Sequence, residues 1–273
     1  MKYFLPFMNI DIFIPARLDS SRLPKKHLKK INNIPIIELL VQRLKKVKNV
    51  RNIVVCTTNK ESDDEFVKIL AKKKILYFRG DDTDILKRFY DAAQKFQTEI
   101  IIDVEGDKLY TEPFFVSKII SEMKNNDYDF VIGNDSTKIF NPSDHLIHGI
   151  IPAGIKVSSI KKVLKLKNEF NKETGYKEIF VNSKNIKKKF FVFDSKLEVP
   201  SSLRLTIDYP EDLNFARDLF SILKEDFTHK DILKIIKDNP VLLKKIEKIN
   251  KKWLKNYNHE IENSWVKYFD FVW

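Results

Sequence analysis

In the first half of the chain, nearly continuous apolar runs alternate with segments whose apolar residues recur at helical spacing. The apolar runs predict strands at 9–16, 51–58, 75–80, 99–107 and 128–134. The segments between them predict helices at 35–47, 62–73, 84–96 and 113–124. Apolar runs without polar alternation are typical of strands that helices cover on both faces. The pattern therefore predicts an α/β fold with a mostly parallel sheet.

Beyond residue 134 the pattern becomes less regular. Residues 134–205 predict a small mixed region of short strands and loops. After "LRLTIDYP" the helical spacing returns, with helices predicted at 210–223, 228–238 and 240–257 and with Thr228 as an N-cap. An apolar stripe in the last helix comprises Leu242, Ile246, Ile249 and Trp253. Packing of this stripe on the body of the protein is favoured over a dimer or membrane face.

The composition is that of a folded protein with one sizeable core, or with a core and a smaller lobe. The chain has 273 residues, 43 % of them hydrophobic, which is enough for such a core. The apolar N-terminus is interrupted by Asp11 and Pro15 and is interpreted as the first core strand rather than a signal peptide. No window reaches the roughly 18 apolar residues that a membrane span needs. A single cysteine, Cys56, excludes an internal disulfide and fits a cytoplasmic location.

The net charge of +12 leaves several classes of partner open. Nucleic acid, an anionic membrane surface and small polyanionic substrates would each suit a basic protein. The lysines are dispersed, however, so that a general compositional bias explains much of the excess. A basic helix or a platform of aromatic and basic residues is lacking in the sequence, and nucleic-acid binding is therefore not expected. Local clusters of charge are more informative.

One such cluster follows the first predicted strand, in the turn "ARLDSSRLPKK". The turn combines Arg17, Arg22 and Lys26 with Ser21 and free backbone amides. Ligands of open α/β sheets bind at the carboxyl ends of the strands, and this set of donors suits a phosphate chain. The spacing is neither that of a P-loop nor that of a dinucleotide-binding motif. A basic loop that is merely solvated is the alternative interpretation.

Two aspartates fall in places where a buried carboxylate would need a cation. Asp107 follows an apolar strand, and Asp208 is predicted at the end of another strand, before a helix that begins with proline. Mg²⁺ is commonly held by one or two carboxylates together with substrate phosphates. The pair therefore predicts a Mg²⁺–phosphate site. Asp208 could instead cap the following helix, and for Asp212 capping or surface solvation is favoured.

Taken together, the motifs resemble those of a known enzyme family. The stretch "IPARLDSSRLPKKHL" resembles the IPAR-x-x-S-x-R-L-P-G-K-x-L signature of CMP-sugar-acid synthetases. Five further motifs follow in the same order as in that family: "NIVVCTTN", "FRGDDTDILKRFYDAA", "VEGD", "LRLTIDYPEDLNFAR" and "THKDILKIIKDNPVLL". The resemblance is strongest to the spore-coat polysaccharide cytidylyltransferases, more distant to the CMP-KDO synthetases, and covers most of residues 9–243. It implies a Rossmann-like nucleotide-diphospho-sugar transferase fold.

The resemblance also implies a reaction and a set of site residues. A sugar-acid hydroxyl would attack the α-phosphate of CTP and expel pyrophosphate, with Mg²⁺ as cofactor held by Asp107 and Asp208. The implied catalytic residues are Arg17, Arg22, Lys26 and Asp107. The implied nucleotide-binding residues are Pro15, Ala16, Arg17, Ser21, Arg22, Lys26, Thr57, Thr58, Asn59, Arg79, Asp84 and Arg88.

The sequence departs from the family pattern chiefly where the acceptor would bind. Lys25 replaces a glycine of the signature, Ile34 replaces a lysine, and Lys108 lies beside the predicted metal carboxylate. Lys156 and Ser158 replace two acidic residues. We therefore predict an acceptor site of Lys108, His148 and Lys156 for an unusual, more anionic acceptor; impaired catalysis is the alternative. His145 and His148, three residues apart, are interpreted as structural or acceptor-contacting rather than as a metal site.

These interpretations define the expected domains and partners. Residues 1–225 would form the nucleotidyltransferase domain, with 134–205 as its acceptor-binding or dimerisation subregion, and 226–273 a C-terminal helical extension. The partners would be CTP, an anionic small-molecule acceptor and a second copy in a homodimer. The aromatic stretch "ENSWVKYFDFVW" would dock on the domain or on that second copy. A nucleotide-sugar-dependent glycosyltransferase of the same fold and a non-catalytic nucleotide-binding or scaffold protein are the alternative functions.

Overall fold

The computed structural model describes residues 8–133, 149–165, 176–191 and 203–262. The strands are β1 (Ile10–Pro15), β2 (Lys30–Ile31), β3 (Ile34–Pro35), β4 (Asn52–Thr58), β5 (Leu76–Gly80), β6 (Ile100–Asp103), β7 (Phe130–Gly133), β8 (Ala153–Lys156) and β9 (Lys188–Phe191). The helices are α1 (Ile36–Leu44), α2 (Asp64–Lys72), α3 (Ile85–Phe96), α4 (Pro113–Asn125), α5 (Val157–Leu164), α6 (Glu178–Asn182), α7 (Pro210–Phe220), α8 (His229–Asp238) and α9 (Pro240–Glu262). Among these described helices, none combines the length and the apolar character that a bilayer crossing requires.

Seven strands form one sheet in the order β5-β4-β1-β6-β8-β7-β9. Strand β1 pairs in parallel with β4 and β6, and β4 pairs in parallel with β5. Strand β8 is antiparallel to both of its neighbours, β6 and β7, whereas β9 is parallel to β7. The prediction of a mostly parallel sheet is thus confirmed. We call the edge at which β1, β4, β5 and β6 end the carboxyl edge.

Helices cover the sheet on both faces, as the apolar runs predicted. Successive side chains of a strand point to opposite faces, and in β1 Ile12 and Ile14 belong to one buried cluster while Phe13 belongs to the other. The first cluster is completed by residues of α1, α2, α4, α7 and α8, and the second by residues of α3, α5 and α6. The second face is therefore covered by α3 from the regular half of the sequence and by α5 and α6 from its less regular part.

The C-terminal helices pack on the body of the protein. The predicted stripe of α9 is buried along its whole length, at Leu242, Ile246, Ile249 and Trp253. Leu242 and Ile246 belong to the same cluster as Ile12. The hydrophobic core is therefore continuous across residue 225, where a helical extension was expected to begin.

The structure differs from the predicted elements in three segments. Residues 157–164 and 178–182 form helices α5 and α6 where strands and loops were expected. In α5 the buried residues Val157, Ile160 and Val163 recur at helical spacing directly after a four-residue strand, so that the two patterns merge into one apolar stretch. The segment 203–209, which contains Asp208, has a single bridge residue, Arg204, instead of a strand.

Candidate active site

The turn after β1 contains a residue with left-handed backbone conformation, Lys25, directly before Lys26. Lys25 has φ 53° and ψ 33°, a conformation that favours glycine, and its amide donates to the carbonyl of Leu18 at 2.9 Å. A short 3₁₀ helix, Lys26–Leu28, begins directly afterwards. The backbone at position 25 thus has the conformation of the glycine in the signature although the residue is a lysine.

Lys26 connects the two aspartates that the sequence singled out. Its Nζ lies 3.1 Å from Oδ2 of Asp107 and 3.3 Å from Oδ1 of Asp208. A guanidinium nitrogen of Arg22 lies 3.2 Å from the same oxygen of Asp208. The fold therefore brings Arg22, Lys26, Asp107 and Asp208 into one charged cluster, although positions 26 and 208 are far apart in sequence.

Asp208 is held mainly by its own segment and does not cap the next helix. Its Oδ2 accepts hydrogen bonds from Arg204 at 3.0 Å and from the hydroxyl of Thr206 at 3.1 Å. The cap of α7 is supplied by Asp212, whose Oδ2 accepts from the amides of Asp208 and Tyr209 at 2.8 and 2.9 Å. The prediction that Asp212 is a cap is confirmed, and Asp208 is free of that role.

The charges of the cluster support one another. Burial would lower the pKa of Lys26, but Asp107 and Asp208 raise it above its ordinary value. Burial would likewise raise the pKa of Asp208, yet Lys26, Arg204 and Arg22 hold it well below the usual range. For Asp107 the burial effect prevails over the attraction of Lys26, and the pKa is raised. Asp107 is thus the less completely compensated of the two carboxylates.

The two aspartates fit a divalent cation. Oδ1 of Asp107 is buried and has no hydrogen-bond partner, an arrangement that is costly unless another positive group meets it. Within the described ranges, no group of three or more His, Cys, Asp or Glu side chains is placed to enclose a metal ion by itself. Mg²⁺ commonly takes only one or two carboxylates and completes its shell with water and phosphate oxygens. The donor set of Asp107 and Asp208 therefore suits Mg²⁺ bound together with a phosphate ligand.

Gly106 allows the segment of Asp107 to pack closely against the turn after β1 (residues 16–26, the cationic turn) and the adjacent His27. A Cβ at this position would lie 2.7 Å from Cε1 of His27 and 3.1 Å from Cβ of Ala16. Burial, together with the adjacent Lys26, lowers the pKa of His27 to about 3, so that this ring is neutral near pH 7. The glycine is thus needed for a close approach of two segments.

Residues at the start of the predicted nucleotide pocket form the wall behind the turn. Pro15 ends β1, and its carbonyl accepts from the amide of Gly106 at 3.2 Å, while the amide of the buried Ala16 donates to Cys56 at 3.2 Å. Arg17 pairs with Asp19 at 3.1 Å and is partly exposed, and Ser21 is exposed. Of these residues, the structure therefore places Arg17 and Ser21 at the surface.

The hydroxyls of Thr57 and Thr58, at the end of β4, are directed to a buried carboxylate. Both donate to Oδ2 of Asp63, Thr57 at 2.8 Å, and the amide of Leu18 donates to the other oxygen at 2.7 Å. Burial would raise the pKa of Asp63, but these hydrogen bonds, with that from Thr58 the strongest, lower it. Thr57 and Thr58 were predicted to line the nucleotide pocket, but both side chains are fully buried in this structure.

The other predicted nucleotide-binding residues organise the loops after β4 and β5. Arg79 donates from Nε to the carbonyl of Thr58 at 2.9 Å and pairs with Asp64 at 2.6 Å. Asp84 caps α3 by accepting from the amide of Lys87 at 3.0 Å. Two further residues complete this set: Arg88, which is buried and donates to the carbonyl of Asp81 at 2.8 Å, and Asn59, which is exposed. These side chains thus shape the edge next to the cationic turn.

A second charged cluster lies at the end of β6, and of its residues only Lys108 was predicted as part of the site. Lys177 lies 3.0 Å from Oδ2 of Asp103 and also contacts Glu105, and the hydroxyl of Tyr176 donates to Asp103 at 2.6 Å. Lys108, one of the predicted acceptor residues, pairs with Glu105 at 3.3 Å. Tyr176 and Lys177 come from the irregular part of the sequence, where no pattern marked them. Asp103 and Glu105 could have been predicted as site residues from their position at the end of the strand β6.

The structure does not bring Lys156 to this site. Lys156 ends β8 and is paired in register with Ile100, the first residue of β6, so that it lies at the opposite edge of the sheet. There it forms an ion pair with Asp127 at 2.7 Å. Strand β8 runs against β6, and its end therefore faces away from Asp107. His145 and His148 lie outside the described residues.

Comparison with solved structures identifies the fold class. A cytidylyltransferase from Leptospira borgpetersenii superposes with a TM-score of 0.74 at 26 % identity, covering 86 % of this chain and 96 % of that one. A CMP:2-keto-3-deoxy-manno-octonic acid synthetase, solved in complex with CTP, gives a TM-score of 0.61 at 17 % identity, covering 78 % and 98 %. The fold is therefore the Rossmann-like fold of nucleotidyltransferases.

Sequence comparison identifies the family. The spore coat polysaccharide biosynthesis protein SpsF of Bacillus subtilis is 24 % identical over 242 residues, covering 85 % of this chain and 96 % of the relative. The family model described as cytidylyltransferase matches residues 12–258, so the chain belongs to the cytidylyltransferase family. The predicted resemblance is confirmed, and the match extends into α9, beyond residue 243.

Proposed function

We propose that this protein transfers CMP from CTP to an anionic sugar acid or a related acceptor and releases pyrophosphate. The observation that carries the proposal is the contact of Lys26 with both Asp107 and Asp208 at the carboxyl edge. Membership of the cytidylyltransferase family supports it, as does the likeness in fold to a synthetase solved with CTP. The product would serve surface polysaccharide biosynthesis, in line with the name of the Bacillus subtilis relative.

The cations of the turn would bind the triphosphate. Arg17 and Ser21 are accessible at the surface, and Arg22 and Lys26 are partly buried beside the aspartates. Charge-assisted hydrogen bonds from such donors to phosphate oxygens are short and strong. Arg17, Arg22 and Lys26 would therefore orient the nucleotide and neutralise the charge of the departing pyrophosphate.

Asp107 and Asp208 would hold Mg²⁺, the proposed cofactor. The partnerless buried oxygen of Asp107 provides one ligand position. Bound Mg²⁺ would supply charge neutralisation at the phosphates. Arg204 and Thr206 would keep Asp208 ionised and oriented toward this position.

Transfer itself would need no protein nucleophile. The hydroxyl oxygen of the acceptor would form a bond to the α-phosphorus while the bond between the α-phosphorus and the oxygen bridging to the β-phosphate breaks. Pyrophosphate would leave, and the hydroxyl proton would pass to solvent. Catalysis of this kind depends on positioning and on charge stabilisation. The one cysteine, Cys56, is fully buried, and burial raises the pKa of its thiol.

The acceptor would bind near Lys108 and Lys177. Both ammonium groups lie beside Glu105, and Lys108 and Glu105 both influence the charge of Asp107. An acceptor with a carboxylate or phosphate could exchange partners with these lysines, which favours an anionic acceptor. Lys156, at the other edge of the sheet, is not part of this proposal.

A pyrophosphate-release assay tests the function. Each of the four NTPs is incubated with Mg²⁺ and a panel of sugar acids and phosphorylated sugars, and Asp107→Asn serves as the matched inactive variant. We expect release with CTP and at least one anionic acceptor, and none with the variant. Consumption of a nucleotide sugar without pyrophosphate release would instead identify a glycosyltransferase. Absence of turnover despite tight CTP binding would identify a non-catalytic nucleotide-binding protein.

A further inference from the structure

Helix α9 contacts the residue that holds Asp208. The guanidinium carbon of Arg204 lies 5.3 Å from the centroid of the Trp253 ring, a cation–π distance. The same guanidinium binds Asp208 at 3.0 Å and also contacts Asp212, the cap of α7. Trp253 is therefore one side chain removed from the proposed metal ligand.

A second contact joins α9 to the neighbour of Asp208. Nδ2 of Asn256 donates to the hydroxyl of Tyr209 at 2.6 Å, and Nζ of Lys252 lies 4.6 Å from the centroid of the Tyr209 ring. The guanidinium carbon of Arg22 lies 5.6 Å from the same ring. The Tyr209 ring thus contacts both Lys252 of α9 and Arg22 of the turn after β1. Of the two arginines that bind Asp208, Arg204 contacts α9 directly and Arg22 contacts it through Tyr209.

One of the three guanidinium nitrogens of Arg204 is not held by a hydrogen bond. Its Nε is buried and has no hydrogen-bond partner, so its terminal nitrogens alone anchor it to the carboxylates. Arg204 and Trp253 are both buried, at 4 % and 5 % exposure. The Trp253 ring, 5.3 Å from the guanidinium carbon, supplies a contact to the arginine in addition to its hydrogen bonds.

We propose that Trp253 is a positioning residue that fixes Arg204 on Asp208 and thereby sets the affinity of the site for the metal–nucleotide complex. The inference rests on the proposed function. It gives α9 a role in the site in addition to the burial of its apolar stripe. Trp253 itself touches neither the nucleotide nor the metal in this account.

Three variants separate positioning from packing. Trp253→Leu removes the aromatic ring, and Trp253→Phe keeps an aromatic face over Arg204. Ile249→Ala is the matched control, because Ile249 belongs to the same small cluster of α9 and Tyr209 but forms no ring contact with Arg204. The thermal midpoint of each variant reports the loss of packing.

Binding of Mn²⁺ in the presence of saturating CTP, followed by electron paramagnetic resonance, is the readout. We expect Trp253→Leu to weaken Mn²⁺ binding about tenfold, the size of a buried cation–π contact. Trp253→Phe should restore binding to within about threefold of the wild type. Ile249→Ala should lower the thermal midpoint but leave Mn²⁺ affinity within about twofold.

The outcomes distinguish the inference from the function on which it rests. If wild-type protein binds neither CTP nor Mn²⁺, the proposed function is wrong. If it binds both and Trp253→Leu leaves the affinity unchanged, the positioning role alone is wrong. Equal losses of affinity in Trp253→Leu and Ile249→Ala, or no rescue by Trp253→Phe, would also overturn it, since general loosening would then explain the effect.

Discussion

Two aspartates at opposite edges of the sheet, the fully buried Asp11 and the half-buried Asp107, differ in how fully their oxygens are bonded. Asp11, at the start of β1, accepts hydrogen bonds at both oxygens: Oδ1 accepts from Arg51 at 3.1 Å and from Asn52 at 3.0 Å, and Oδ2 accepts from Arg51 at 2.7 Å and also from Thr98. Asp107, at the carboxyl edge, has one oxygen near Lys26 and one with no hydrogen bond. A buried carboxylate whose two oxygens both accept hydrogen bonds, as in Asp11, is typical of a structural role. The open oxygen of Asp107 leaves a position for a ligand. Asp208 is fully bonded, but two of its partners, Arg22 and Lys26, are the cations proposed to bind the triphosphate.

The largest expected effect is on catalysis at the unsaturated carboxylate. Asp107→Asn removes a charge that the proposed metal needs and should lower kcat/KM for pyrophosphate release by at least about a hundredfold. Unfolding in urea should show that the fold is retained, since the neutral amide is easier to bury than a carboxylate. A variant with wild-type kcat/KM would remove Asp107 from the site.

The saturated aspartate should show the opposite behaviour. Asp11→Asn breaks the ion pair between the buried Asp11 and the partly exposed Arg51 and weakens charge-assisted hydrogen bonds. It is expected to lower the free energy of unfolding by about 2 kcal/mol, measured by urea denaturation. The kcat/KM of the folded protein should stay within about threefold of the wild type. A large loss of catalysis with unchanged stability would mean that hydrogen-bond saturation does not separate the two kinds of aspartate.

Asp107 and Asp208 should respond to pH with opposite signs. Burial raises the pKa of Asp107 above its unfolded value of about 3.9. Ionisation of Asp107 therefore destabilises the fold as pH rises from about 4 to the higher pKa of the folded state. The pKa of Asp208 is lowered by Lys26, Arg204 and Arg22 against the effect of burial, so its contribution is present above about pH 4 and is lost as pH falls below that value.

Urea denaturation of two variants between pH 3 and 7 measures this contrast. Asp107→Asn should gain stability relative to the wild type as pH rises, because the wild-type carboxylate ionises at a cost that the amide avoids. Asp208→Asn should be destabilised by about 2 kcal/mol at pH 7 and approach the wild type in acid. Parallel pH profiles for the two variants would contradict the assignment of the charges.

The smallest effect concerns the backbone of the turn that carries Lys26. Lys25→Gly should raise the free energy of unfolding by about 0.5 kcal/mol, because a left-handed lysine is strained whereas the glycine is not. Lys74, also left-handed at φ 53° and located after α2, provides the control. Lys74→Gly should give a similar gain in thermal midpoint, and neither variant should change kcat/KM by more than about twofold. A loss of stability in Lys25→Gly alone would show that its ion pair with Glu65 outweighs the strain.

The sequence predicted those parts of the site that depend on local pattern. Apolar runs locate strands, and ligands of parallel sheets bind where strands end, which is why Lys26 and Asp107 were recognised before their contact was seen. Asp208 was predicted for a partly wrong reason, since the segment that contains it is not a strand. Its position depends instead on Arg204 and Thr206.

Other features could not be read from a pattern because they depend on tertiary contacts. The direction of a strand is not encoded in its apolar residues, and the antiparallel β8 therefore places Lys156 at the wrong edge for the predicted acceptor site. Lys177 meets Asp103 across more than seventy residues, and Trp253 meets Arg204 from a helix whose stripe indicated only burial. Thr57 stays a predicted nucleotide-binding residue, but the bond from its hydroxyl to Asp63 is a tertiary contact that the sequence did not indicate.

The most direct test of the central claim is the stoichiometry and affinity of Mn²⁺ binding in the presence of CTP. The account predicts one ion for each wild-type chain, loss of this binding in Asp107→Asn and in Asp208→Asn, and retention in Asp11→Asn. Binding that persists in both carboxyl-edge variants, or that is lost equally in Asp11→Asn, would contradict the claim that Asp107, Asp208 and Lys26 form one metal–nucleotide site.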